Sequence, residues 1–126
     1  MAHILVVDDD ADSRDGLAGL LRKRGHQPTA APNGRDALAV LTRKIPPDLV
    51  VLDLRMPEMD GVMFLEVLRS YLRLQNVPVM LMTAYPESPD VERAKRLGVL
   101  EVFRKGDNFI GLLDAVDRHA KPAATQ

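Results

Sequence analysis

Two runs in this sequence are apolar on both faces and stop on acid. His3 to Val7 runs into Asp8-Asp9-Asp10, and Leu49 to Leu52 runs into Asp53. A strand with one wet face alternates apolar and polar residues. A strand without that alternation is covered by helices on both sides, as in a parallel sheet. Between and after these runs come helical spacings: Leu17, Leu20 and Leu21 before Arg22-Lys23-Arg24-Gly25, then Ala37, Leu38 and Leu41 behind an Asn33 cap and ahead of Pro46-Pro47. Gln27 to Ala31 reads as a weak strand, Val77 to Met82 as an apolar strand ending on Thr83, and Val99 to Phe103 as a last strand ending near Lys105. Asp60 is predicted to cap a helix carrying Phe64, Leu65, Leu68 and Leu72. Ser88-Pro89 opens one with Val91, Ala94 and Leu97, and Asp107 caps a final one with Ile110, Leu113 and Val116. The pattern is strand-helix repeated five times, which predicts an α/β fold: a (βα)5 doubly wound parallel sheet with right-handed crossovers. A chain of 126 residues makes one such domain, expected over 1–120, with 121–126 a polar tail.

Composition narrows the chemistry. The chain has no cysteine, which excludes disulfide scaffolds, thiolate zinc sites and cysteine nucleophiles. A net charge of −1 excludes a dominant electrostatic grip on nucleic acid or an anionic membrane. No apolar stretch reaches the roughly 18 residues of a membrane span, and the chain opens straight into a strand with no signal-like segment. A cytoplasmic domain is the expectation. Of its 18 acids, 13 are Asp, a residue of caps, turns and metal sites.

Ligands of such sheets bind beyond the carboxyl ends of the strands. Those ends carry Asp8, Asp9, Asp53, Thr83 and Lys105. Two like charges ~4 Å apart cost about 4 kcal/mol at an effective dielectric near 20, so crowded carboxylates call for a raised pKa or a bound cation. Carboxylate oxygens suit Mg²⁺. Asp8, Asp9 and Asp53 are therefore read as a divalent metal site, and Asp10 and Asp12 as acids at the start of the first helix. A carboxylate beside Mg²⁺, a lysine and a threonine can act as a nucleophile toward phosphorus. Lys105 and the metal would then neutralise the phosphoryl oxygens, and the Thr83 hydroxyl would donate to one of them.

Four segments resemble a response regulator receiver domain: Ile4-Leu5-Val6-Val7-Asp8-Asp9-Asp10, Asp53-Leu54-Arg55-Met56-Pro57-Glu58-Met59-Asp60-Gly61, Met82-Thr83-Ala84, and Lys105. The resemblance implies a flavodoxin-like strand order 2-1-3-4-5, with Asp53 as phosphoacceptor. It implies that Asp9, Asp53 and the backbone carbonyl of Arg55 ligate Mg²⁺ directly, with Asp8 acting through water. Thr83 and Lys105 would hold the phosphoryl group. The donor would be a phosphohistidine on a histidine kinase or histidine phosphotransfer protein, and the receiver would help catalyse its own loading and slow dephosphorylation. The downstream target is unknown, and neither nucleic acid nor membrane is expected as a direct partner. Arg55 and Tyr85, two residues beyond Asp53 and Thr83, would flank the phosphoryl group. The first helix is expected to dock the donor through Asp15, Gly19 and Arg22, with Ala18 and Gly19 leaving room for a partner helix.

The sequence departs from the family at two places. Lys105 is followed by Gly106 where proline is usual, which predicts a trans bond because a non-proline cis peptide costs about 2.5–4 kcal/mol. Val102 stands where an aromatic is usual, and the neighbouring Phe103 must point to the opposite face. Other readings fit less well. An aspartyl-phosphate phosphohydrolase would need an acid two residues after its nucleophile, where Arg55 stands, and room for a cap domain. An FMN binder would need a phosphate loop where three acids stand. A non-phosphorylated interaction module would lack an acceptor or acid that this chain has.

Overall fold

The computed structural model describes residues 2–43, 45–56, 58–107 and 109–120. The expected tail over 121–126 and Pro57 of the acceptor segment lie outside the described residues. The elements alternate as the sequence predicts: β1 (His3–Val7), α1 (Ala11–Lys23), β2 (Gln27–Ala31), α2 (Gly34–Leu41), β3 (Leu49–Leu52), α3 (Gly61–Ser70), β4 (Val79–Thr83), α4 (Pro89–Arg96), β5 (Val102–Arg104) and α5 (Ile110–His119). The strands form one sheet in the order β2-β1-β3-β4-β5, and every pairing is parallel.

Strand alternation divides the core in two. Leu5 and Val7 of β1, Val50 and Leu52 of β3 and Leu81 of β4 pack against Ala37 and Leu41 of α2, Phe64, Leu65 and Leu68 of α3, and Val91 and Ala94 of α4. Ile4 and Val6, Val51, and Met80 and Met82 point the other way, against Leu17 and Leu21 of α1 and Leu112, Leu113 and Val116 of α5. Each fully buried Leu or Ile contributes about 1.5–3 kcal/mol. The two layers therefore hold β1, β3 and β4 from both sides, and these three strands carry the acids and the threonine. Val102 and Phe103 continue the alternation, Val102 on the first face and Phe103 on the second.

Asn33 and Asp60 cap α2 and α3, accepting from the backbone N–H groups of Asp36 at 2.7 Å and Met63 at 2.9 Å. Four details differ from the sequence reading. First, α3 stops at Ser70 because Tyr71 turns to an extended conformation, which leaves Leu72 85% exposed instead of on the helix's buried face. Leu74 and Val77 take its place in the core, and Arg69 fixes this turn by donating to the carbonyls of Gln75 and Val77. Second, Asp107 does not cap the last helix. It lies in the turn after Gly106, its N–H directed at the Arg104 carbonyl, and α5 begins after Phe109, which packs against the core instead of bonding the helix end. Third, the last two strands start later than expected, at Val79 and Val102; Val77 packs into the core ahead of β4, and Leu100 already donates its N–H to the Val79 carbonyl ahead of β5. Fourth, Ala18 faces inward at 4% exposure and offers no room to a partner. On the outer face of α1, Asp15 and Arg22 are exposed, and Gly16 and Gly19 have nothing within 4 Å of a β-carbon position.

Gly61 shows how tightly the acceptor loop is packed. A β-carbon there would lie 2.6 Å from the Leu54 Cα and 2.9 Å from the Asp53 carbonyl. Gly61→Ala is expected to lower stability by about 1–3 kcal/mol, because backbone and not a flexible side chain must give way. Gly16→Ala, in the open middle of α1, is expected to raise it by about 0.5–1 kcal/mol. Urea melts of both variants check the contrast.

Candidate phosphoacceptor site

The parallel sheet brings four strand ends to one edge. The Asp8 N–H donates to the Ala31 carbonyl at 3.1 Å and the Asp53 N–H to the Val7 carbonyl at 2.9 Å, so both acids are fixed by the ladder itself. The Lys105 N–H donates to the Thr83 carbonyl at 2.7 Å, which ties β5 to the end of β4. Asp8, Asp53 and Thr83 are 0%, 5% and 2% exposed, the buried polar residues of an otherwise apolar interior.

One ammonium holds this edge together. Lys105 Nζ donates to Asp8 Oδ1 at 2.9 Å and to Asp53 Oδ2 at 3.2 Å. Asp8 Oδ1 also accepts from the Asp10 N–H at 3.0 Å, and Asp53 Oδ1 takes a long 3.4 Å contact from the Arg55 N–H. Thr83 Oγ accepts from the Tyr85 N–H at 3.1 Å, which leaves its hydroxyl proton to give. The Lys105–Gly106 peptide is trans, and Gly106 adopts φ +99°, so the glycine turns the chain while the lysine still reaches both acids.

The donor set fits a cation. Carboxylate oxygens of Asp8, Asp9 and Asp53 all lie within 4.8 Å of one another. Asp8 Oδ2 is buried with no hydrogen-bond partner, a position in which an anionic oxygen is costly unless a cation faces it. Asp10 and Asp12 stay outside the group. Asp10 is the N-cap residue of α1, though its carboxylate makes no capping bond, and Asp12 is an exposed first-turn acid. The arrangement can do two things chemically: its carboxylates can hold a divalent cation, and Lys105 can present an ammonium at Asp53.

Burial pushes the Asp53 carboxyl up to about 6. The Lys105 ammonium opposes this shift, and the Asp8 carboxylate adds to it. For Lys105, burial alone would lower the pKa, but its hydrogen bonds and attraction to Asp8 and Asp53 outweigh burial and raise it.

Two contacts escape sequence reasoning. Arg14 of α1 donates to the Asp8 carbonyl at 2.9 Å. The Arg55 guanidinium stacks on the Tyr85 ring at 4.2 Å from its centroid, linking the loops after β3 and β4. The spacing of Arg55 and Tyr85 was a visible signal, but not their contact. A groove of about 680 Å³, lined by Arg69, Val77, Arg96, Leu97, Leu100 and His119, involves none of these residues. It offers size without convergent chemistry, so the buried acids mark the site better than shape does.

The raised carboxyl has a consequence for stability. The folded state holds the Asp53 proton more tightly than the unfolded chain, so this group's contribution is complete below its ordinary value of 3.8 and is lost as pH rises through about 6. With divalent cations chelated, Asp53→Asn is expected to be more stable than the parent by about 1–3 kcal/mol at neutral pH, with the gain vanishing at acid pH. Urea melts across this pH range check it.

Comparison with known proteins agrees with this geometry. The family model of the response regulator receiver domain matches residues 4–117. Sporulation initiation phosphotransferase F of Bacillus subtilis is 38% identical over 116 residues, 92% of this chain and 91% of that protein. The chemotaxis protein CheY4 of Vibrio cholerae superposes with a TM-score of 0.85 at 29% identity, covering 94% of this chain and 98% of that one. The response regulator protein TrrA of Thermotoga maritima, in complex with Mg(2+)-BeF, superposes with a TM-score of 0.81 at 30% identity over 94% of this chain and 98% of that one. With its acids, threonine and lysine gathered at one edge of a 2-1-3-4-5 sheet, the chain belongs to the receiver domains of two-component response regulators.

Proposed function

We propose that Asp53 accepts a phosphoryl group from a phosphohistidine of a histidine kinase or histidine phosphotransfer protein, within a phosphoacceptor domain of residues 1–120. The observation that carries this reading is the buried Asp53 carboxylate, paired with Lys105 beside the unpartnered Asp8 Oδ2. Asp8, Asp9, Asp53 and the Arg55 carbonyl would hold Mg²⁺. Three carboxylates against one ammonium leave two negative charges, which suits a divalent cation. Bound there, Mg²⁺ would supply charge neutralisation to the phosphoryl oxygens and draw Asp53 into its ionised, nucleophilic form. The TrrA complex with Mg(2+)-BeF supports this assignment.

A carboxylate oxygen of Asp53 attacks phosphorus. The P–N bond of the phosphohistidine breaks, and its electron pair returns to the imidazole. Lys105 exchanges its contact with Asp53 for the incoming phosphoryl oxygens, and the Thr83 hydroxyl donates to one of them. In the separate, slow dephosphorylation, water attacks phosphorus, the P–O bond to Asp53 breaks with its electron pair left on the carboxylate, and the phosphoryl group departs as inorganic phosphate carrying the water's oxygen and protons. The stacked Arg55 and Tyr85 flank the approach of that water. Because Val102 lacks an aromatic's bulk, the rearrangement on phosphorylation is smaller at β5 and carried more by the loop from Thr83 to Pro89. The partner is the phosphodonor, and the compartment is the cytoplasm. Among the described residues, no helix is long and apolar enough to cross a membrane.

Incubation with a small acyl-phosphate donor and Mg²⁺ is expected to add one phosphoryl group by intact mass, and chelation or Asp53→Asn is expected to abolish the gain. Undiminished labelling of Asp53→Asn would overturn the assignment. Asp9→Asn is expected to weaken Mg²⁺ binding more than about tenfold, and Asp12→Asn, an exposed and screened charge, by no more than about twofold. Calorimetric titration of both variants checks this; equal losses would remove the distinction between pocket acids and helix-start acids.

A further inference from the structure

Asp9 is the exposed member of the acid cluster, and among the described residues no hydrogen bond or ion pair holds its carboxylate. Its direction is therefore set by the two peptide groups that flank it. The peptide after it is fixed where the Asp10 N–H donates to Asp8 Oδ1 at 3.0 Å. The peptide before it is fixed at the Asp8 carbonyl, which accepts from Arg14 Nη1 at 2.9 Å. The Arg14 side chain is only 18% exposed, and its own N–H closes the first turn of α1 onto the Asp10 carbonyl at 2.9 Å. One residue thus clamps the β1–α1 loop at both ends, with Asp9 between them.

We propose that Arg14 is a positioning residue for the metal site: by holding the Asp8 carbonyl, its guanidinium presents the Asp9 carboxylate to the cation. The inference rests on the Mg²⁺ reading above and adds a residue from α1 to the machinery of the strand ends. A groove of acids gains nothing electrostatically from a guanidinium beside it, because the positive charge repels the cation that the acids attract. Charge and positioning therefore predict opposite signs. Removing Arg14 strengthens Mg²⁺ binding if its charge dominates, and weakens it if its hydrogen bond to the loop dominates. The bond should dominate: among the described residues nothing holds the Asp9 carboxylate itself, and groups that orient a ligand without touching the metal commonly set its affinity by about 10–100-fold.

The test is calorimetric titration of Mg²⁺ into the full chain, as wild type and as Arg14→Met, Arg14→Lys and Asp9→Asn, with the amide resonances of Asp9 and Asp10 followed by NMR. Arg14→Met is expected to bind about tenfold more weakly, with both resonances displaced before any cation is added. Arg14→Lys keeps a charged donor and is expected to recover part of the affinity. A purely structural role would move the thermal melt but leave the affinity of the folded protein unchanged. If Arg14→Met does not fold, Arg14→Gln, which shortens the reach and removes the charge, takes its place with the same expectation. Affinity in the neutral variant equal to or above wild type overturns the proposal. Asp9→Asn distinguishes the two levels. Unchanged affinity there overturns the metal reading itself, whereas loss there with wild-type affinity in Arg14→Met overturns only the role of Arg14.

Discussion

The Lys105 ammonium between Asp8 and Asp53 is the contact on which the functional edge depends. Two nearly inaccessible carboxylates at the ends of adjacent strands would repel each other and lose their hydration together. An isolated buried charge costs several kcal/mol, and a like charge beside it costs more. The lysine offsets both acids with one donor group, and it can do so only because β5 lies beyond β4 at the same edge, tied there by the Lys105 N–H to the Thr83 carbonyl. The sheet order is thus an electrostatic requirement as well as a packing result.

The compensation is incomplete, and the shortfall is functional. One ammonium does not neutralise Asp8, Asp9 and Asp53. The pocket has two ways to close the gap: Asp53 can hold a proton, as its raised pKa of about 6 shows, or a cation can occupy the carboxylates. The first state gives way as pH rises through about 6, where Asp53 ionises against the Lys105 ammonium, and a cation would favour the ionised acid further. The buried and unpartnered Asp8 Oδ2 is the atom most exposed to that choice, since nothing among the described residues satisfies it.

The fold was legible because its signal is local. Uninterrupted apolar runs from Ile4 and Leu49 require cover on both faces, and the helical spacings of Leu17, Leu21, Phe64 and Leu68 supply it. The acids at the strand ends were legible because strand direction determines which end faces the site. The helix ends were less so. Leu72 fits the period of α3 but lies past a turn held by Arg69, whose carbonyl partners come from the α3–β4 loop and, at Leu97 and Gly98, from the end of α4. No local pattern encodes such a reach. Asp107 carries good capping chemistry, yet α5 starts after Phe109, which packs partly buried against the core. The Arg55 stack over Tyr85 was invisible for the same reason, since it joins two loops whose proximity exists only after the sheet has formed; the Arg14 bond to the Asp8 carbonyl is local, six residues apart, but depends on how α1 turns back over β1.

The two departures from the family pattern have different weight. At Gly106 a proline is missing, yet Lys105 reaches both acids, because glycine at φ +99° makes the turn with a trans bond. The chemistry tolerates this change because it needs only the position of one flexible ammonium. Val102 is different, since a two-state switch needs a group whose two positions differ in packing energy. Val102 is half-buried against the α2–α4 face, with Phe103 committed to the opposite layer, so β5 presents no large side chain free to move between the two. The groups that connect the pocket to the surface elsewhere are Thr83, whose oxygen holds the Tyr85 N–H, and the Tyr85 ring, stacked on Arg55. A phosphoryl group drawing the Thr83 hydroxyl inward would act on the Tyr85 backbone through that bond and on Arg55 through the stack. Among the described residues, the contacts that lead outward from Thr83 therefore lie in the loops after β3 and β4, on the same edge where the charge is handled.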